Sequence, residues 1–311
     1  MLGRLPLTDE AAAGIRPHER THPGPIEDRL RLARATKTNL SPIFALHPGD
    51  AVGPLTDGLG DAPPWGEARD ADDTLHRLWR IADPDRIAAA QTALIGADLL
   101  IADGHHRYET ARAYAEELGG AGEHRFLLAL LVSLDDPGLQ ILPTHRLLAG
   151  ISGTDRQGAL RDTLIEHFDL EKISMEELAP PPGEGPLQLG YLDGFHGQPF
   201  RLTLKDQASA DAVLPKGLRR LDTAVLEALI LRGPVGLDDE AIASLEGLGY
   251  ARSDDEAREL VLDGTWDCAF FLRATPIAQV RELAAAGHVM PPKSTFFTPK
   301  VPTGLLFNPL V

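Results

Sequence analysis

One stretch constrains the fold more than any other: DLLIADGHHRYETARAYAEELGG, residues 98–120. Leu99, Leu100, Ile101 and Ala102 form a short apolar run suited to a buried strand. Asp103-Gly104 breaks the run. Tyr108 to Leu118 then reads as a helix, closed by Gly119-Gly120. A buried strand feeding a helix argues for an α/β or α+β fold over an all-α or all-β one. The junction is also a natural anion site. A helix start leaves backbone N–H groups without intrahelical partners and carries the positive end of the helix dipole.

The rest of the chain supports that class. SPIFAL, residues 41–46, is a compact apolar strand, and residues 49–73 read as a loop rich in Gly, Asp and Pro. Leu75 to Ile81 alternates like a strand, and Asp83 with Pro84 opens a helix. Phe126 to Leu134 is apolar enough for a central strand. A second unit starts near Gly150. It holds helices at 156–168, 221–231, 254–262 and 276–286, a hairpin of strands 187–192 and 199–205, and a buried strand from Cys268 to Leu272. The tail MPPKSTFFTPKVPTGLLF, residues 290–307, is too Pro-rich for a helix and too apolar to stay free. Two domains follow: residues 1–149, and residues 150–311 with a tail that packs back on the first.

Composition removes several classes. Lys and Arg number 30 against 46 Asp and Glu, a net charge of -16, which argues against nucleic acid as a partner. The single cysteine, Cys268, allows no intrachain disulfide and no thiolate zinc site, and a cytoplasmic location is expected. Cys268 sits in an apolar run and reads as a core residue. No apolar stretch approaches a membrane span, so no membrane partner is expected. The glycine-rich phosphate loop with its lysine is absent.

Within DGHHR, Gly104 lets the backbone approach a ligand, and His105, His106 and Arg107 supply donors. Arg107 suits phosphate because its planar fork matches two oxygens. Asp103 could orient a histidine, hold a magnesium ion or act as a base. Adjacent histidines rarely reach one metal together, and the others are scattered, which disfavours zinc. In RPHERT, residues 16–21, Glu19 could be a base, and Arg16 or Arg20 a phosphate ligand. Alone, that segment reads better as a solvated charged stretch. In PTHR, His145 and Arg146 repeat the pairing after a strand. Lys293, Ser294, Thr295 and Lys300 stand between prolines, a cationic spot with hydroxyls that could close over phosphate.

IADGHHRYETA at 101–111 resembles the signature of a bacterial and archaeal family known as domain of unknown function 1015. The resemblance extends to IRPHERT at 15–21, NLSPIFAL at 39–46, LPTHRLL at 142–148 and the tail motif at 290–307. Members of that family usually carry a longer segment before the position of Gly14, so part of the first domain's N-terminal segment is expected to be missing. DGHHR is also similar to the core motif of the ParB/sulfiredoxin-like group, with Gly104 and Arg107 at the positions that bind nucleotide phosphates. Within that group it is closer to free-serine kinases. The resemblance implies a ParB/sulfiredoxin-like N-terminal half, a smaller α+β C-terminal half, and ATP or ADP with Mg2+ as cofactors. The implied activity is a nucleotide-dependent phosphotransferase acting on a small, serine-like hydroxyl metabolite. Asp103, Glu19, His105 and His106 would be its catalytic candidates and Asp103 its metal ligand. The alternatives are a ParB-like nucleotide-binding regulatory or DNA-partitioning protein, and a phosphohydrolase using the same site.

Overall fold

Ile43, Phe44, Ala45, Leu46 and His47 are all buried, and this strand is the middle of a five-stranded sheet. The structure, a computed structural model, describes every residue except 9–13, 20, 22, 72 and 184, together with the side chains of 23 and 154 omitted. The chain divides into two units. Unit 1 comprises Met1–Pro17, Thr21–Gln140 and Phe297–Val311; unit 2 comprises His18–Arg20 and Ile141–Phe296. Helices and strands are mixed in both, which makes the fold α/β. Among the described residues no helix is long and apolar enough to cross a membrane.

In unit 1 the strands are β1 (Leu2–Pro6), β2 (Ile15–Arg16), β3 (Ile43–His47), β4 (Leu99–Asp103) and β5 (Phe126–Ser133), in the order β1-β5-β3-β4-β2. The β5 run is interior, but β3 takes the middle place. The sheet is mixed: β3 runs parallel to β5 and antiparallel to β4. Parallel pairing needs cover on both faces, and the continuous apolar runs of β3 and β4 meet that need. Ile43, Ile101, Leu127 and Leu131 share one core with Tyr108, Ala111 and Ala115 of α1 (His105–Leu118). Each Ile or Leu side chain among them contributes about 1.5–3 kcal/mol on burial. The C-terminal segment closes the unit. Asn308 pairs with Asn39, and Leu310 is buried with Leu30 and Tyr114.

The expected loop at 49–73 is more ordered than its composition suggested, with a helical turn at Gly53–Thr56 and a strand at Gly66–Arg69 that pairs with Leu75–Leu78. Its order comes from tertiary bonds. The Arg86 guanidinium donates to the carbonyls of Pro54, Leu55 and Asp57.

Unit 2 is built on β6 (His145–Leu148), β7 (Phe168–Lys172), β8 (Gln188–Asp193), β9 (Phe200–Leu204), β10 (Leu248–Ala251) and β11 (Cys268–Phe271), all antiparallel, in the order β7-β9-β8-β11-β6-β10. Alternate residues feed two cores, as strand pleating requires. Leu148, Cys268 and Phe270 belong to one, while Leu147, Ala269 and Phe271 belong to the other. The helix expected at 221–231 is α-helical over Asp222–Leu226 and then widens to a π-helix over Glu227–Leu231.

Candidate functional site

The site in unit 1 is prepared by a bulge. Phe44 pairs with Asp103 and Ala45 with Ile101, so Ala102 is the extra residue on β4. Bulges bend a strand and re-aim the neighbouring side chain, and here that neighbour is Asp103. Gly104 follows with φ of 102°, and no side chain caps the helix it opens. A Cβ at this position would lie 3.0 Å from Arg107 Nε and from Ile43 Cγ2. Glycine is therefore required twice, for its backbone angle and for the close approach of Arg107. With Gly104 as N-cap, the helix starts at His105, three residues before the expected Tyr108, and HHR becomes its first turn.

Arg107 folds back across Gly104. Its Nη1 donates to Ser41 Oγ at 2.9 Å and to the Pro42 carbonyl, and its Nη2 donates to Asp103 Oδ2. Lys300 Nζ donates to the other carboxylate oxygen, Asp103 Oδ1, at 2.8 Å. Asp103 is thus held between two cations, one per oxygen. Burial lowers the Arg107 pKa, Asp103 opposes that shift, and Arg29 adds to it. Arg29 and Arg107 also line one cavity of about 120 Å³, with Thr38, Ser41, Thr110 and Tyr114 on its wall. Two guanidinium groups on one small, largely apolar cavity repel each other, and an anion between them would remove the repulsion. His105 is buried and His106 half-buried in the same helical turn. Sequence reasoning did not single out Arg29 or Ser41. Ser41 stands inside the NLSPIFAL motif, but Arg29 sits on a helix that gave it no distinguishing signal.

Unit 2 assembles a different set. The Met290 N–H donates to the His18 carbonyl at 2.8 Å, and Glu19 bridges Met290 in parallel. The Lys293 N–H then donates to Glu19 Oε1 at 2.6 Å, with Lys293 itself at φ 57°. A lysine in the left-handed region is uncommon and carries backbone strain, which the Glu19 bond helps hold. Ser294 and Thr295 are buried and engaged: Ser294 Oγ donates to the Pro291 carbonyl, and Thr295 Oγ1 lies 3.1 Å from His18 Nε2. The Lys293 side chain is exposed.

Arg146 is only 3% exposed and donates to the carbonyls of Thr144 and Pro292 at 2.6 and 2.9 Å. Its guanidinium lies 4.9 Å from the Tyr250 ring centroid. Burial lowers its pKa, against the fields of Tyr250, Glu19 and Glu227. His145 faces the other side of β6. Its Nδ1 accepts the Leu272 N–H at 3.2 Å, which leaves the proton on Nε2, 2.7 Å from Asp254 Oδ1. That contact holds the Asp254 carboxyl below its ordinary value. Of the sequence candidates, unit 1 brings together Asp103, Gly104, His105, His106, Arg107 and Lys300. Unit 2 brings together Glu19, Arg146, Lys293, Ser294 and Thr295, with His145 on the opposite face of Arg146's strand.

Arg16 pairs with Asp98, and Arg20 lies outside the described residues. HERTH, residues 18–22, also spells a metalloprotease zinc spacing that the sequence reading passed over. That motif needs both histidines on one helix. Here His18 and Glu19 are in extended chain, and His22 lies outside the described residues. Among the described residues no group of three metal-ligating side chains occurs. Asp103, a single carboxylate with a cation on each oxygen, does not fit a resident magnesium ion, which demands near-octahedral oxygen ligation.

A free serine kinase solved in complex with AMP shares 16% identity, with 96% of this chain and 86% of that chain covered and a TM-score of 0.50. A point variant of a free serine kinase solved with ADP gives 15%, 96%, 87% and 0.50. A conserved hypothetical protein from Pyrococcus furiosus shares 17% identity, with 97% and 92% covered and a TM-score of 0.49. For the two kinase structures, at these identities, the likeness is one of fold. No curated protein matches the chain. The family model described as "Protein of unknown function (DUF1015)" matches residues 1–224, well over half the chain, and this protein belongs to the DUF1015 family.

Proposed function

We propose that the chain is a nucleotide-dependent phosphotransferase that acts on a small, serine-like hydroxyl metabolite, with ATP or ADP as donor. The observation that carries this reading is the unit 1 junction, where an uncapped helix start, Arg107 and Lys300 gather around Asp103. The fold shared with a free serine kinase solved with AMP and with ADP supports it. Phosphoryl transfer asks little covalent chemistry of a protein. It asks for cations fixed on the phosphate oxygens and a base for the acceptor hydroxyl. Arg107 and the helix N–H groups take the phosphate, with Lys300 and Arg29 adding positive field. Asp103 sets the direction of Arg107 and Lys300, a task its two charge-assisted bonds suit better than proton abstraction. In the transfer a general base takes the acceptor proton, the freed oxygen forms the new P–O bond, and the bond to the nucleotide oxygen breaks; Asp103 and Glu19 are the carboxylates whose substitution tests for that base.

The test is incubation with the magnesium salt of ATP or ADP and a pool of hydroxyl amino acids, read by mass spectrometry for a phosphorylated acceptor. Glu19→Gln should lower the rate by about 10²-fold or more while nucleotide binding persists. Release of phosphate with no phosphorylated acceptor would make the protein a phosphohydrolase. No product at all, with tight, salt-sensitive binding of duplex DNA, would favour the ParB-like reading.

A further inference from the structure

Unit 1 contains a second and larger concavity, of about 740 Å³, that the phosphate site does not use. Its wall runs from β1 through the 52–59 turn, Trp65 and residues 77–81 to the helix Pro84–Leu94. Trp65, Trp79, Leu55, Leu59, Leu78 and Leu130 are among its apolar lining. Its volume falls in the range of small-molecule sites.

Two features set it apart from a chance gap. First, its walls are braced. Arg86 ties the helix to the carbonyls of Pro54, Leu55 and Asp57 at 2.8, 2.6 and 2.7 Å, and Trp79 Nε1 donates to the Ala62 carbonyl at 3.0 Å. Trp65 nevertheless stays 67% exposed, a large aromatic surface left in water. Second, its charge has one sign. Arg4, Arg77 and Arg80 line it, all three exposed at its rim, and among the described lining residues there is no Asp or Glu. In a chain of net charge -16, that is a local reversal. Arg4 and Arg77 pair outward with Glu123 and Glu67 in exposed contacts, which are weak and exchangeable.

We infer that this cavity takes one soluble amphiphilic anion, with an acyl or aromatic body against the tryptophans and leucines and a carboxylate or phosphate head against the rim arginines. Apolar area would drive binding, and the guanidinium forks would select the anion. The site is separate in its residues from the phosphate junction, so it stands or falls independently of the transferase reading.

The experiment is isothermal titration calorimetry of the full chain with laurate, dodecyl phosphate and dodecanol below their aggregation limits, and with vesicles of anionic phospholipid. Laurate or dodecyl phosphate should bind at one per chain, about tenfold or more tighter than dodecanol, as one or two charge-assisted hydrogen bonds would give. The Arg77→Ala/Arg80→Ala double variant should erase that preference and leave dodecanol binding unchanged. Arg80→Ala alone, at an exposed position, should reduce it. Equal affinity for the anions and the alcohol would overturn the inference, as would a preference that survives both variants. Binding to the vesicles but to no monomeric amphiphile would overturn it in favour of a membrane surface.

Discussion

Arg107 of unit 1 and Arg146 of unit 2 occupy similar places in the sequence, each one residue after a histidine near a strand end, yet the fold uses them in opposite ways. Arg107 keeps about a quarter of its side chain exposed and spends its guanidinium on a carboxylate, a hydroxyl and one carbonyl. Arg146 is sealed and spends its guanidinium on two carbonyls and an aromatic face. Burial lowers both pKa values. Arg107 is the one of the two that is open to solvent. Arg146 cannot turn without stranding the carbonyls of Thr144 and Pro292, so it serves as a brace for the 290–295 segment that meets Glu19. A guanidinium near a candidate site is a ligand or a strut according to what it would leave behind.

The largest expected effect follows from the strut. Arg146→Met should cost about 3 kcal/mol, because one buried and one partly buried acceptor lose their donor. Urea unfolding of the Trp65→Phe/Trp79→Phe background, followed by fluorescence of Trp266 in unit 2, would measure it. Unchanged stability with lost nucleotide affinity would reverse the roles assigned to the two arginines. A smaller effect is expected at Lys300→Ala, whose pair with Asp103 is more than a third exposed on both sides. Its stability loss should stay within about 1 kcal/mol, shrinking as salt is added.

The smallest effect is a pH dependence confined to unit 2. The Asp254 carboxyl is held below its ordinary value by its close contact with His145. The folded state therefore binds fewer protons than the unfolded state in that range. The stabilisation is complete above the ordinary value and is lost as pH falls through the depressed one. Asp254→Asn should flatten the acid limb of an unfolding profile by lowering stability at neutral pH, while stability at low pH stays nearly unchanged. An unaltered acid limb would remove His145 as a brace.

Much of the fold was legible because it rests on local signals. Ser253 caps the helix Asp254–Leu262, Asp83 caps Pro84–Leu94, and strands Gln188–Asp193 and Phe200–Leu204 pair as a hairpin. What was not legible depended on distant partners. Phe168–Lys172 carries three charged residues in five and forms a strand only because Phe200–Leu204 pairs with it. The order of residues 49–73 rests on Arg86, some thirty positions away. At the site, DGHHR stood out as a cluster. Lys300 was legible as a cation for phosphate, but its bond to Asp103 and the place of Arg29 on the cavity wall were not, since both depend on residues far off in sequence. Ser294 and Thr295, candidate ligand hydroxyls in the sequence, bond to Pro291 and His18 inside unit 2, partners that the sequence did not show.

The central claim is that the helix start at Gly104–Arg107 holds a nucleotide phosphate. Calorimetric titration of ATP and ADP into the wild-type chain and into Arg107→Ala tests it most directly. The account predicts measurable binding to the wild type, weakening with salt, and a loss of about tenfold or more in the variant. A nucleotide affinity that Arg107→Ala leaves unchanged would contradict it.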